Sequence, residues 1–273
     1  MVLTALFMAL AMGGCKWGSA YDYSPYYNRV VEETVYLFPE NDSSPFCDFA
    51  MDYSCLSDEQ DSIIQTINQT LQQEFLGHAY RQLSPDAAID SFMNDYLREF
   101  RKEVGEMYQM DLASDSTGTE IPAWYNRTYS MITFLDDGME GIKHASANYF
   151  VDLGGAHPSQ WSKWINFDIH TGKLLGKDDV FMPEAKAEIE ALLLDKLILL
   201  QAKNYPDETI NTLEDLQNKG FLSMTNMYIP DNFLLNKDKV MFLFNRYDIA
   251  PYAAGETILE VAYEEMNHYM KIK

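Results

Sequence analysis

The residues best suited to chemistry gather in the middle of the chain. Asp152-Leu-Gly154-Gly155-Ala-His157-Pro158 is followed within a few residues by Trp161, Trp164, Asp168 and His170. Paired glycines let a backbone approach a ligand closely, and an imidazole near a carboxylate can bind a metal or move a proton. The same residues also suit a glycine turn whose His and Trp are satisfied locally, and turn chemistry alone accounts for Gly-Gly and His-Pro. Gly154, Gly155, His157, Trp161 and Trp164, with Tyr252 farther along, are therefore candidate ligand-binding residues, and the exposed rings would be stacking platforms for a glycan. No nucleophile elbow, P-loop or dinucleotide fingerprint is present. No catalytic residue and no cofactor is expected.

One segment tests for an enzyme. Thr133-Phe-Leu-Asp136-Asp137-Gly138 comes close to the Thr-Phe-Asp-Asp-Gly motif with which polysaccharide deacetylases supply a base and a metal-binding aspartate. Here a Leu separates the Phe from the Asp pair, and in a strand one extra residue turns every later side chain to the other face. The deacetylase site also needs two histidines one helical turn apart, which the spacings among His144, His157 and His170 do not supply. Asp136-Asp137-Gly138 is better read as a hairpin turn, and no metal ligands are expected.

Charge narrows the partners. Against 20 Lys and Arg stand 42 Asp and Glu, a net charge of -22, so a phosphate backbone would be repelled and nucleic acid is excluded as a partner. The excess is uneven, with -16 up to Glu140 and -6 after it. A cationic protein or a neutral glycan remains compatible.

The first fourteen residues, MVLTALFMALAMGG, carry no charge and end in small residues directly before Cys15. The run is too short to span a bilayer and has the composition of a secretory signal. With a cysteine at the cut it resembles a bacterial lipoprotein signal in which Cys15 takes the lipid, the alternative being an ordinary cleaved signal with an incidental cysteine. The expectation is an exported protein anchored to a membrane through that lipid alone, facing the periplasm or the cell surface. Export permits disulfides, and Cys47 and Cys55 form an even pair that could close a short loop. Two buried thiols are the alternative, and zinc is weaker still because no nearby His or second Cys pair completes four ligands.

These residues need elements to position them. Residues 16–29 are rich in Gly, Ser, Pro and Tyr and read as a tether, and Val30 to Phe38 reads as a strand. A helix is expected from Ser57, where Ser57-Asp-Glu-Gln60 has capping-box spacing, and a second from Ser84-Pro85 to Met107. The Met and aromatic stripe of the second helix reads as core. Strands follow from Trp124 to Leu135, Gly141 to Leu153 and Trp161 to Ile169, then a helix from Pro183 to Asn204. Strands Tyr228–Leu235, Val240–Ile249 and Thr257–Ala262 and a short helix complete the chain. The absence of a regular βαβ alternation predicts an α+β fold rather than a doubly wound sheet, and the length suits one large domain or two small lobes.

Tyr149-Phe-Val-Asp-Leu-Gly-Gly-Ala-His-Pro158, Asn166-Phe-Asp-Ile-His-Thr-Gly-Lys173, Asp179-Val-Phe181 and Tyr247-Asp-Ile-Ala-Pro-Tyr-Ala-Ala-Gly255 together resemble one exported domain family. It is the RsiV-like family, found in the ectodomain of a lysozyme-sensing anti-sigma factor and, as a PdaC N-terminal-like pair, ahead of a peptidoglycan deacetylase domain. The resemblance is good from Tyr149 to His268 and looser from Val30 to Leu135. It implies an α+β ectodomain of two lobes, each a mostly antiparallel sheet packed with helices, over 30–140 and 141–273, without catalytic residues of its own, and lysozyme, a cationic protein, as the kind of partner. No deacetylase domain and no transmembrane helix joined to a sigma-binding segment is read in these residues. The expectation is a non-enzymatic, ligand-binding envelope lipoprotein, with a peptidoglycan or polysaccharide module and then a metal-dependent deacetylase as alternatives.

Overall fold

The computed structural model describes residues 26–57, 60–114 and 125–272. The expected signal segment, Cys15 and most of the expected tether lie outside them. The fold is α+β. Its larger sheet contains β1 (Tyr26–Tyr36), β2 (Phe46–Leu56), β3 (Arg127–Asp137), β4 (Ile142–Asp152), β5 (Ser159–Asp168) and β6 (Leu174–Leu175), in that spatial order. Neighbours are antiparallel except β2 and β3, which run parallel because the chain between them crosses over through α1 (Ser62–Phe75) and α2 (Pro85–Ser114).

Alternation along the strands gives this sheet two different faces. Cys47, Phe49, Met51, Tyr53 and Cys55 point from β2 into a core shared with Ile67, Leu71 and Phe75 of α1 and Ile89, Leu97 and Phe100 of α2. The intervening Asp48, Ala50, Asp52 and Ser54 point away from the helices. This geometry overturns the expected disulfide. Eight residues of strand separate the two cysteines by about 26 Å, against the roughly 4.4–6.8 Å between Cα atoms that a bridge requires. They are not joined, and burial, helped by Asp48, pushes the Cys47 thiol up to about 12.

Several boundaries shift for local reasons. β1 starts at Tyr26, inside the expected tether, because Arg29 reaches Asp86 at 3.0 Å and Asp90 at 2.5 Å on α2. Helix α1 starts after Asp61, whose carboxylate accepts the amide of Ile63 at 2.7 Å. Ser57 does not start it because β2 runs on to Leu56, whose N–H and C=O are both held by the Asn68 carboxamide. Asp136 and Asp137 stay in β3 opposite His144 and Lys143, and the turn falls at 138–141. Gly138 is required there, since a Cβ would lie 2.2 Å from the Leu235 carbonyl.

The second core gathers residues from Leu175 to Met270. It contains α3 (Lys177–Val180), α4 (Lys186–Asn204), α5 (Leu213–Asn218) and α6 (Tyr263–Met266) around a sheet of β7 (Phe233–Leu235), β8 (Lys239–Phe244) and β9 (Thr257–Ala262). Ile189, Leu193 and Leu197 of α4 face it. The cores therefore meet near 174–175. The expected division at 140–141 lies in the β3–β4 turn, inside one sheet, because those two strands pair over ten residues.

The smaller sheet sits on the outer half of β5. Its Leu234 and Leu243 enclose Trp164, while the alternate residues Phe233, Phe242 and Phe244 enter the second core. Three asparagine side chains make the joint. Asn166 donates to the Phe233 carbonyl at 2.8 Å and accepts from the Leu235 amide at 2.9 Å. Asn232 and Asn245 accept from the amides of Trp164 and Ser162, and both donate to the Ser162 carbonyl. Carboxamides carry a donor and an acceptor, so they stand in for a neighbouring strand along this edge of β5.

Candidate functional site

The glycine loop between β4 and β5 holds the first candidates. Gly154 has φ +72° and donates its N–H to the Asp152 carboxylate at 2.8 Å. No heavy atom lies within 4 Å of the Cβ position of Gly155. His157 stacks on Tyr252 with centroids 4.0 Å apart, and its Nε2 lies 3.3 Å from the Tyr247 hydroxyl. Tyr252 donates its hydroxyl to the Pro158 carbonyl at 3.0 Å, and the Arg246 guanidinium lies 5.3 Å from the centre of its ring. His157 and Tyr252 thus meet, joined by Arg246 and Tyr247, which residue types alone did not single out.

The tryptophans separate. Trp164 is only 8% exposed and seals the joint, so it is not a stacking platform. Trp161 is 39% exposed, but its ring stacks on Tyr149 at 4.7 Å. It belongs to the helix-covered side, with Lys163, which pairs with Glu74 of α1, and Ile165. Asp168 closes a turn by accepting the amides of His170 and Thr171.

The Asp136–Asp137 pair is also structural. Asp137 forms an ion pair with buried Lys143 at 2.6 Å. Burial pulls the Lys143 ammonium pKa down, but hydrogen bonds to Asp137 and Tyr26 outweigh it and leave the group raised. His144, opposite Asp136, lies under the second sheet, and burial lowers its pKa. Among the described residues no three His, Cys, Asp or Glu side chains are grouped to hold a metal.

The face of the large sheet away from the helices forms an ordered surface. Register aligns Glu32, Ala50, Ser130, Phe150 and Gln160 in one row across five strands, and Val30, Asp52, Ile132, Asn148 and Ser162 in the next. Thr34, Asp48, Thr128 and Asp152 form a third. A cleft of about 390 Å³ lies where Arg246 and Glu256 stand over Ser130, Ile132, Asn148, Phe150, Gln160 and Ser162. A smaller depression of about 230 Å³ continues from Ser130 to Asp48 and Glu32. Alternation in Cys47-Asp-Phe-Ala-Met-Asp could have shown Asp48 and Asp52 on the uncovered face. Nothing local could have shown that Arg246 and Glu256 would wall it.

Tyr247 is held in the left-handed region at φ +72° yet is 63% exposed. A non-glycine residue there costs about 1 kcal/mol or more. Asn245, anchored to Ser162, fixes the turn that imposes it, with the Asp248 amide bonded to the Asn245 carbonyl at 3.0 Å.

Residues 178–264 match the family model DUF3298, described as a protein of unknown function. The matched segment runs from α3 into α6 and so covers the second core and its sheet. Among solved structures, a DUF3298 family member from Bacteroides fragilis is 25% identical with a TM-score of 0.81, covering 90% of this chain and 93% of that one. A DUF3298 family protein from Pseudomonas aeruginosa is 17% identical with a TM-score of 0.61, covering 92% and 96%, and shares the fold. Both likenesses extend over the large sheet as well as the DUF3298 segment. No curated protein matches the chain. No helix among the described residues is long and apolar enough to cross a membrane.

Proposed function

We propose that this protein is a non-enzymatic, lipid-anchored envelope module that binds a cationic protein on the uncovered face of its large sheet. The supporting observation is the acidic surface formed by the cross-strand rows. Glu32, Asp48 and Asp152 stand on it among Ser and Thr, with Asp52, one of whose oxygens is buried, between them. Val30, Ile132, Phe134 and Phe150 add apolar area on the same face, of which Val30 and Phe134 are well exposed. Complementary charge steers association, and salt weakens it. The resemblance to the RsiV-like family makes lysozyme the test ligand, and the lipid anchor rests on Cys15.

Titration with lysozyme at low and high salt tests this reading. A complex at low salt that weakens as salt is added is expected, and no complex at low salt would sink it. Glu32→Gln combined with Asp48→Asn should weaken binding roughly threefold or more. A glycan module is the second reading, favoured by the residual exposure of Trp161. It predicts salt-resistant retention on insoluble cell wall that Trp161→Ala abolishes.

A further inference from the structure

We infer that the cleft between the large sheet and the β8–β9 connection is a binding site for a short zwitterionic peptide, with its carboxylate on Arg246 and its ammonium on Glu256. Three observations carry this. The cleft, about 390 Å³, lies at the small end of ligand pockets, a size suited to two or three residues. Its lining contains one cation and one anion, and neither forms an ion pair with another described residue. Arg246 is the more telling of the two, because its Nε is buried and its guanidinium is held near the Tyr252 ring, while its two terminal nitrogens form no hydrogen bond or ion pair with another described residue. A ligand with a carboxylate satisfies a waiting donor in fixed orientation.

The remaining lining fits the rest of such a ligand. Ser130, Asn148, Gln160 and Ser162 carry neutral hydroxyl or carboxamide groups suited to a peptide bond, and Ile132 and Phe150 offer an apolar patch for a side chain. A ligand of one sign would leave the opposite charge of the site uncompensated, and one bearing both signs leaves neither. The two charged residues are held by a constrained connection. Asn245 is tied to Ser162, Tyr247 is fixed at positive φ, and Gly255 at φ +76° precedes Glu256. This inference does not depend on the docking reading, because the ligand differs and the charged residues that hold it, Arg246 and Glu256, are not among the carboxylates of that reading.

Isothermal titration of the mature chain with L-alanyl-L-phenylalanine, N-acetyl-alanyl-phenylalanine and alanyl-phenylalanine amide tests it. The free dipeptide should bind, and each capped form should bind roughly tenfold or more weakly, the scale of one charge-assisted hydrogen bond. Arg246→Gln should abolish the preference for a free carboxylate and leave the preference for a free amine, and Glu256→Gln should do the reverse. Arg246→Lys, which keeps the charge near Tyr252, should retain the carboxylate preference and serves if Arg246→Gln fails to fold. Absence of binding by the free dipeptide at millimolar concentration, or equal binding of the capped forms, overturns the inference. Lysozyme titration of the same variants is a separate readout, so either result can fail without the other.

Discussion

The two faces of the large sheet are built from the same strands, residue by alternate residue, and do opposite work. The covered face stacks Phe49 on Tyr129 at 5.0 Å and packs Phe92 and Tyr96 around them, an aromatic cluster closed by α1 and α2. The other face carries Ser, Thr and carboxylates in register and receives the second sheet at its β5 end, through carboxamides, one tryptophan and the neighbouring β3–β4 turn, whose Met139 amide donates to the Leu235 carbonyl. Apolar burial is non-directional and tolerates any partner of suitable shape, whereas side-chain amides on backbone groups demand one placement. One face therefore stabilises the molecule, and the other fixes where its two halves meet and leaves polar rows uncovered by the helices.

Substitutions can break this comparison in order of expected effect. Phe49→Ala removes the centre of the covered face and should lower unfolding free energy by about 3–5 kcal/mol in chemical denaturation. Asn166→Ala strips partners from a buried carbonyl and a buried amide, costing about 2–4 kcal/mol, with hydrogen exchange rising first in β7–β9. Equal acceleration of exchange in α1 and α2 would show that the joint and the aromatic core are one unit.

A pH series sharpens the comparison further. His144 lies under the second sheet, its pKa lowered by burial and by Lys143 and Lys237 against the opposing pull of Asp136 and Asp137. The unfolded chain then binds the extra proton more readily. Stability should be flat above the ordinary histidine value of about 6.5 and fall as pH drops below it. His144→Gln should flatten that slope in thermal unfolding followed between neutral pH and mild acid. The smallest effect belongs to the uncovered face, where Glu32→Gln should change stability by about 0.5 kcal/mol or less in the same assay while still weakening a cationic partner.

Local chemistry made much of the fold legible. Ser84-Pro85 and helical apolar spacing announced α2, the Leu-rich run announced α4, and Thr257 to Ala262 is β9 to the residue. Tyr228 to Leu235 was expected as a longer strand than β7, which is confined to the three residues that pair with β8. Cys47 to Cys55 was the most instructive segment, because its paired cysteines suggested a short loop, whereas its alternation of apolar and polar residues forms β2. The alternation prevailed because it buries five side chains in one core.

The candidate site divided in the same way. His157 and Tyr252 meet as neighbours in a site, but Trp164 became a seal and Trp161 turned to the helix side, since in a strand the face of a side chain is decided by parity. What the sequence by itself determined was composition and periodicity: an α+β class, three long helices, a large acidic excess and the residues of the glycine loop. Only the tertiary structure decided that β2 pairs in parallel with β3, that the halves meet at β5, and that Arg246 and Glu256 stand over strands some hundred residues away. Those outcomes depend on hydrogen bonds between residues distant in the chain, such as Asn166 to Leu235, and no local propensity encodes a partner.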